Sequence, residues 1–351
     1  MLITNKRNRS FAAEWDPQDG ILIAWPHPGT DWAYMLDEVT ACYVELARAI
    51  LMDDERLVIV APDAELVHEA LGASVDWSRI NVVEIPTNDT WVRDYGPVTV
   101  FRDGGMALAD FTYNAWGMKF AADCDNMVTS RIQELGLFSM PVLNCRDIVL
   151  EGGSIETDGN GSVMTTTCCL TAPNRNDALT RGQLEDVLLE RLGCMKMLWL
   201  DHGSLVGDDT DGHIDTLARF APGGVILYTG CDDPSDEHFE PLMNMEEQLK
   251  QFTDTDSNHY HLIKLPLPDA ICDEISRLPA TYANFLVMNH QVLVPVYGQP
   301  MNDVKACELI GEAFPGRTVV TVDCRALICQ HGSLHCATMQ LPKGSLNTNP
   351  N

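Results

Sequence analysis

No Cys-x-x-Cys pair occurs anywhere in this 351-residue chain, which excludes zinc ribbons and thioredoxin-like redox motifs. Its twelve cysteines are too sparse for a disulfide scaffold and are expected to be reduced thiols. Long apolar runs are also missing: Leu57 to Ala61 and Gly224 to Tyr228 are strand-sized, far short of the ~20 residues of a membrane span. Met1 to Ser10 carries three basic residues, but Phe11-Ala12-Ala13-Glu14-Trp15 follows without the apolar stretch of a signal peptide. A cytoplasmic protein with no membrane partner is the expectation. Basic residues are scarce, 23 against 51 acidic ones for a formal charge of −28. Such a surface repels phosphate backbones and draws in small cations, so nucleic acid is excluded as a partner. What remains is ordinary: 45% hydrophobic and 21% charged residues allow a large core. No linker rich in Pro, Gly or Ser interrupts the chain, so residues 1–351 are read as one domain.

One pattern returns along the chain: two short β-rich runs around a turn, an amphipathic stretch, then another β-rich run. Its clearest copy places hairpin strands at Ser154 to Thr157 and Ser162 to Thr167 around Asp158-Gly159-Asn160-Gly161. A helix from Leu179 to Leu192 ends at Gly193, and Met197 to Leu200 closes the unit. The next pairs Ile214 to Phe220 with Val225 to Tyr228, then a helix from Glu237 to Phe252 and a strand at His261 to Lys264. Another pairs Asn284 to Met288 with Val292 to Val296, then a helix from Asp303 to Phe314 and a strand at Arg317 to Val322. Two degenerate copies precede these. One combines Gly20 to Trp25, a helix at Met35 to Leu51 and Leu57 to Val60; the other has Val98 to Phe101, Met106 to Tyr113 and a helix near Asn126 to Leu135. A final strand, Leu334 to Leu341, remains to close the ring. Hairpins directly before each helix argue against an open doubly wound sheet and for a cyclic α/β arrangement of five ββαβ units.

In a cyclic repeat, equivalent positions converge on the axis, so a site draws about one polar residue from each unit. Asp94, Glu151, His213 with Asp215, Asn284 and Cys336 stand at such positions. Three carboxylates, an imidazole and a thiol on otherwise apolar strands would be a costly way to build a core. A cysteine is a nucleophile only as thiolate, and His213, oriented by Glu151, can exchange protons beside Cys336. Asp94 and Asp215 would raise the thiol pKa if left unpaired, but they suit a cationic guanidinium, which two carboxylates can hold by charge-assisted bonds. Cys168, Cys169, Cys145, Cys324 and Cys329 are read as core residues. Neither a metal nor a cofactor is required.

These residues lie in Trp-Val-Arg-Asp-Tyr-Gly-Pro (91–97), Glu-Gly-Gly-Ser-Ile (151–155), Thr-Asp-Gly-His-Ile-Asp (210–215), Tyr-Ala-Asn-Phe (282–285) and His-Gly-Ser-Leu-His-Cys-Ala-Thr-Met-Gln (331–340). With Asn114-Ala115-Trp116-Gly117, the set resembles the agmatine deiminases and the related Porphyromonas-type peptidylarginine deiminases, from Glu14-Trp15 to Pro342. The resemblance implies the pentein fold, a five-bladed α/β propeller with pseudo-fivefold symmetry. It also implies that Cys336 is the nucleophile, His213 the general acid and base, Glu151 its partner, and Asp94 and Asp215 the guanidinium clamp. Trp91, Arg93, Trp116, Asp209 and Asn284 would contact the substrate, with Asp209 near its distal amine and the two tryptophans walling its methylenes. Agmatine would yield N-carbamoylputrescine and ammonia. Members of the family carry Gly-Gly-Gly-Asn-Ile-His-Cys before the nucleophile, whereas this chain has Gln330-His331-Gly332-Ser333-Leu334-His335-Cys336, so a differently shaped loop is expected over the thiol.

Competing readings are a peptidylarginine deiminase, an amidinotransferase using the same clamp, and a silent polyamine-binding protein. A metal-dependent hydrolase would use Asp208, Asp209, Asp211, His213 and Asp215 as ligands. A homodimer stays open.

Overall fold

The computed structural model of the chain describes residues 11–102 and 104–347. The first ten residues, part of the leader reading above, lie outside them. The described strands form five separate sheets, one of four strands and four of three. Every sheet follows one plan. In the second, Val98–Arg102 pairs antiparallel with Gly105–Thr112, which pairs parallel with Val142–Val149. The three sheets that follow in the chain repeat this antiparallel-then-parallel order. The first sheet obtains the same order from opposite ends of the chain: Met339–Pro342 pairs antiparallel with Gln18–Ala24, which pairs parallel with Arg56–Ala61, and Ile80–Glu84 is added outside.

Each parallel neighbour is reached over a helix, as a parallel connection requires. Leu36–Leu51 buries Val39, Cys42, Tyr43, Leu46, Ala47 and Ile50 along one stripe and carries Asp37 and Glu38 in its first turn. Arg181–Leu192 opens with a Thr180–Gln183 capping box and stops at Gly193, whose φ of 71° is the left-handed conformation glycine adopts without strain. Ala64–Leu71, Val128–Glu134, Phe239–Leu249 and Pro300–Ala313 bridge the other four. No helix among the described residues is long and apolar enough to cross a membrane.

The hairpins begin later than the residue pattern predicts. Ile214–Thr216 is a 3-10 turn and the strand starts at Ala218; Asn284 precedes the short strand Leu286–Val287; the final strand runs only over Met339–Pro342. Apolar alternation extends into these entry turns, but their backbone closes on itself, as in Leu217 N–H to Ile214 O at 3.0 Å and Thr338 N–H to His335 O at 3.1 Å. Two strands, Val142–Val149 and Ile80–Glu84, lie where none was expected.

Candidate active site

Asp94 precedes the strand Val98–Arg102, and Glu151 precedes Ile155–Thr157. His213 and Asp215 precede Ala218–Ala221, Asn284 precedes Leu286–Val287, and Cys336 precedes Met339–Pro342. All six therefore occupy the turn that enters the hairpin of a sheet. A cavity of ≈ 300 Å³ is lined by Asp94, His213, Asp215 and Cys336, with Trp91, Trp116 and Asp209 on its walls.

The carboxylates are held from behind. Asp94 accepts from Trp116 Nε1 at 2.9 Å through Oδ2 and from Gly153 N–H at 2.9 Å through Oδ1. Burial pushes its pKa up to about 6 against the opposing pull of His213. Asp215 Oδ2 accepts from His335 Nδ1 at 2.8 Å and from Cys336 Sγ at 3.6 Å, while the buried Oδ1 has no partner. Burial raises the Asp215 pKa, but His335 outweighs it and the carboxyl stays below its usual range.

His213 lies 3.7 Å from Asp94 Oδ1 through Nδ1 and 3.7 Å from Glu151 Oε2 through Nε2, with neither nitrogen hydrogen-bonded and the ring 1% exposed. Burial disfavours its charged form, yet Asp94 and the neighbouring Cys169 and Glu151 carry its pKa well above the ordinary value. That direction favours the imidazolium. Glu151, whose carboxyl burial would raise, is held low by His213 and Arg175; Arg175 Nε donates to both of its oxygens at 3.0 Å.

The Cys336 thiol faces Asn284 Oδ1 at 3.4 Å. Burial, then Asp215 and Asp94, push its pKa well above normal. An empty site thus favours the thiol, and a cation set between these carboxylates would favour the thiolate.

Asn284 and Arg93 fall elsewhere than expected. Asn284 does not line the cavity: its oxygen accepts from the backbone of His335 at 2.9 Å and of Cys336 at 3.3 Å, and its Nδ2 donates to Asp215 O. Arg93 lies beneath the site, committed to Glu14 at 3.2 Å and to Gln340 rather than to Asp94. The proposed metal run disperses too. Asp211 pairs with Lys119 and Arg175, Asp208 caps Thr210 and Gly212, and Asp215 binds His335.

Several contributors escaped the sequence reading. Cys169, read as core, places Sγ 3.9 Å from Glu151 Oε2, and it, Glu151 and His213 bring possible ligand atoms within 4.8 Å of one another. Arg175 already neutralises that carboxylate. Gly153 sits at the centre: a Cβ there would lie 2.7 Å from His213 Nδ1, 2.8 Å from Asp94 Oδ1 and 3.0 Å from Asp215 Oδ2. The double glycine of Glu151-Gly152-Gly153 was the available signal. Trp116 is presented by four consecutive left-handed residues, Ala115 to Met118, with φ of 51°, 53°, 86° and 68°, a strained turn of the kind found at functional sites. Gly332 admits Trp91, whose ring would stand 2.3 Å from any Cβ there. Asp31, Asp89 and His331 extend the cavity wall around Asp209. Burial, then Asp31 and Asp209 among its neighbours, lifts Asp89 to about 7. The loop before Cys336 forms a 3-10 turn at Leu327–Gln330 and then a left-handed His331.

The mixed α/β fold and the relatives together define a class, the enzymes that act on amidines. Within it, the chain belongs to the Porphyromonas-type peptidyl-arginine deiminase family, whose model matches residues 10–342. An agmatine deiminase of Stutzerimonas stutzeri is 34% identical over 354 aligned positions, covering 94% of each chain. A Porphyromonas gingivalis structure, provisionally described as an arginine deiminase, is 49% identical with a TM-score of 0.92, covering 97% of this chain and all of that one. A C. jejuni agmatine deiminase, a cysteine-to-serine variant with substrate bound, is 34% identical with a TM-score of 0.88 and 97% coverage of both chains.

Proposed function

We propose that the chain is an agmatine deiminase whose residues 11–347 form one pentein domain, a five-bladed propeller. The five sheets of like connectivity support this architecture. Twelve free cysteines fit a reducing, cytoplasmic setting.

The observation that carries the reading is the convergence of the Asp94 and Asp215 carboxylates, the Cys336 thiol and the His213 imidazole on one cavity, with His213 and Asp215 Oδ1 buried and unpartnered. Asp94 and Asp215 would hold the guanidinium N–H groups, and the substrate's charge would offset the two carboxylates that keep Cys336 protonated. The Cys336 thiolate then attacks the guanidinium carbon to form a C–S bond. The C–N bond to one terminal nitrogen breaks, and ammonia leaves with a proton from His213. Water adds to the thiouronium carbon, His213 takes its proton, and the C–S bond breaks to return thiolate and a ureido product. Glu151 keeps the imidazolium charge balanced throughout.

Asp31, Asp89 and Asp209 at the far wall favour a second positive charge on the substrate, and no Lys or Arg among the described lining residues could receive the carboxylate of free arginine. Agmatine fits both conditions. The peptidylarginine reading draws on the family model and would require a neutral peptide backbone at that acidic wall. Purified protein should release ammonia from agmatine faster than from arginine or a peptidyl-arginine, and Cys336→Ala should release none. Equal rates from a Cys336→Ala control would overturn the assignment.

A further inference from the structure

His335, the chain neighbour of the nucleophile, has no role in the chemistry above, yet it is 1% exposed and both of its ring nitrogens meet carboxylates. Nδ1 donates to Asp215 Oδ2 at 2.8 Å, and Nε2 lies 2.7 Å from Glu14 Oε1. Glu14 is in turn bound by Arg93, Arg219 and Gln340, and Arg219 by Glu156. The imidazole is thus the sole contact of Asp215 Oδ2 with that buried framework among the hydrogen bonds on this oxygen, its other partner being the Cys336 thiol at 3.6 Å. A carboxylate rotates freely about its terminal bond unless one oxygen is pinned. With Oδ2 held by His335, the carboxylate stays beside the Cys336 thiol, and Oδ1 is buried without a partner.

We propose that His335 is a positioning residue for guanidinium recognition: by bridging Asp215 to Glu14 it fixes the Asp215 carboxylate in the cavity wall for the substrate. The proposal deepens the amidine-hydrolase reading and rests on it. His335 touches no reacting atom, so its loss weakens the hold on the guanidinium before it slows bond breaking.

Two substitutions separate this role from simple packing. The Asn amide nitrogen can reach the place of Nδ1 and keep the bond to Asp215, whereas the longer Gln amide reaches the place of Nε2 and keeps only Glu14. For His335→Gln, KM for agmatine should rise about tenfold, the equivalent of one lost charge-assisted hydrogen bond, with kcat falling less. For His335→Asn, KM should stay within about threefold of the parent. In the double variant His335→Gln/Asp215→Asn, KM should be no higher than in Asp215→Asn alone, because both changes remove the same link. A fall in kcat with unchanged KM in His335→Gln, or equal KM increases in both single variants, overturns the proposal. Should the Gln variant not fold, a large KM increase in His335→Asn would overturn it just as well. A parent protein inactive on agmatine would instead overturn the functional reading beneath it.

Discussion

Beneath the cavity, Glu14, Glu156, Arg93, Arg219 and Gln340 interlock, each charged head group meeting an opposite charge or an amide. At the cavity wall, His213 has no hydrogen bond at either nitrogen and Asp215 Oδ1 has none, although both side chains are closed to solvent. The lower cluster is the more open of the two, Glu14 being 18% exposed against at most 1% for His213 and Asp215, so burial does not account for the difference. A buried polar atom without a partner costs about 1–3 kcal/mol. The lower cluster avoids that cost and acts as frame. The wall bears it at three atoms of two residues that line one cavity, which is the signature of a surface completed by a ligand.

The comparison can be broken most directly at Gly153. Gly153→Ala should lower kcat/KM by at least about 10²-fold, since the added methyl drives into His213 and Asp94 and misplaces both; near-parental kinetics would mean the wall is not preorganised. In the frame, Arg219→Met strands Glu156 and removes one of the cations on Glu14, and should cost about 3–5 kcal/mol in urea unfolding. An unchanged unfolding midpoint would show the lower cluster to be dispensable.

Acid sharpens the contrast next. Asp94 must be ionised to accept guanidinium N–H bonds, and its pKa in the free protein is about 6, so kcat/KM should fall as pH drops through that value. For stability the sign is opposite to that of a salt-bridged acid. The folded form holds this proton more tightly than the unfolded chain, whose Asp titrates near 3.8. Asp94 therefore disfavours folding increasingly as pH rises from the unfolded value to about 6. A kcat/KM profile flat from pH 7 to 5 would remove Asp94 from recognition. The smallest effect is expected at the outer wall: Asp209→Asn should raise KM for agmatine about three- to tenfold and leave kcat nearly unchanged, because a single partly screened charge is lost. A guanidino-alkane lacking the distal amine should not respond to this substitution.

Much of the site was legible because polar residues recur at one place in a repeating unit. Asp94, Glu151, His213, Asp215 and Cys336 are recognisable as polar interruptions of apolar runs, although each lies in the turn before a strand. Arg93 misled for the same reason: it sits beside Asp94 in sequence, but the short helical turn Val92–Tyr95 sends the two side chains to different layers. Cys169 looked like core because nothing nearby in sequence reveals that its thiol meets Glu151. Arg175 lies in a loop of Pro173-Asn174-Arg175-Asn176 with no periodic signal, and only the fold brings it to Glu151.

By itself, the sequence determined the recurring order of hairpin and helix, the acidic balance, and which segments carry the candidate site residues. Periodicity and turn chemistry are local properties, written within a few residues of one another. The tertiary structure alone decided where those side chains point. Their directions are set by bonds between residues far apart in the chain, such as Gly153 N–H to Asp94 and His335 to Glu14 and Asp215. No local pattern encodes a contact whose two halves meet only when the first and last strands pair, as Leu22 and Met339 do.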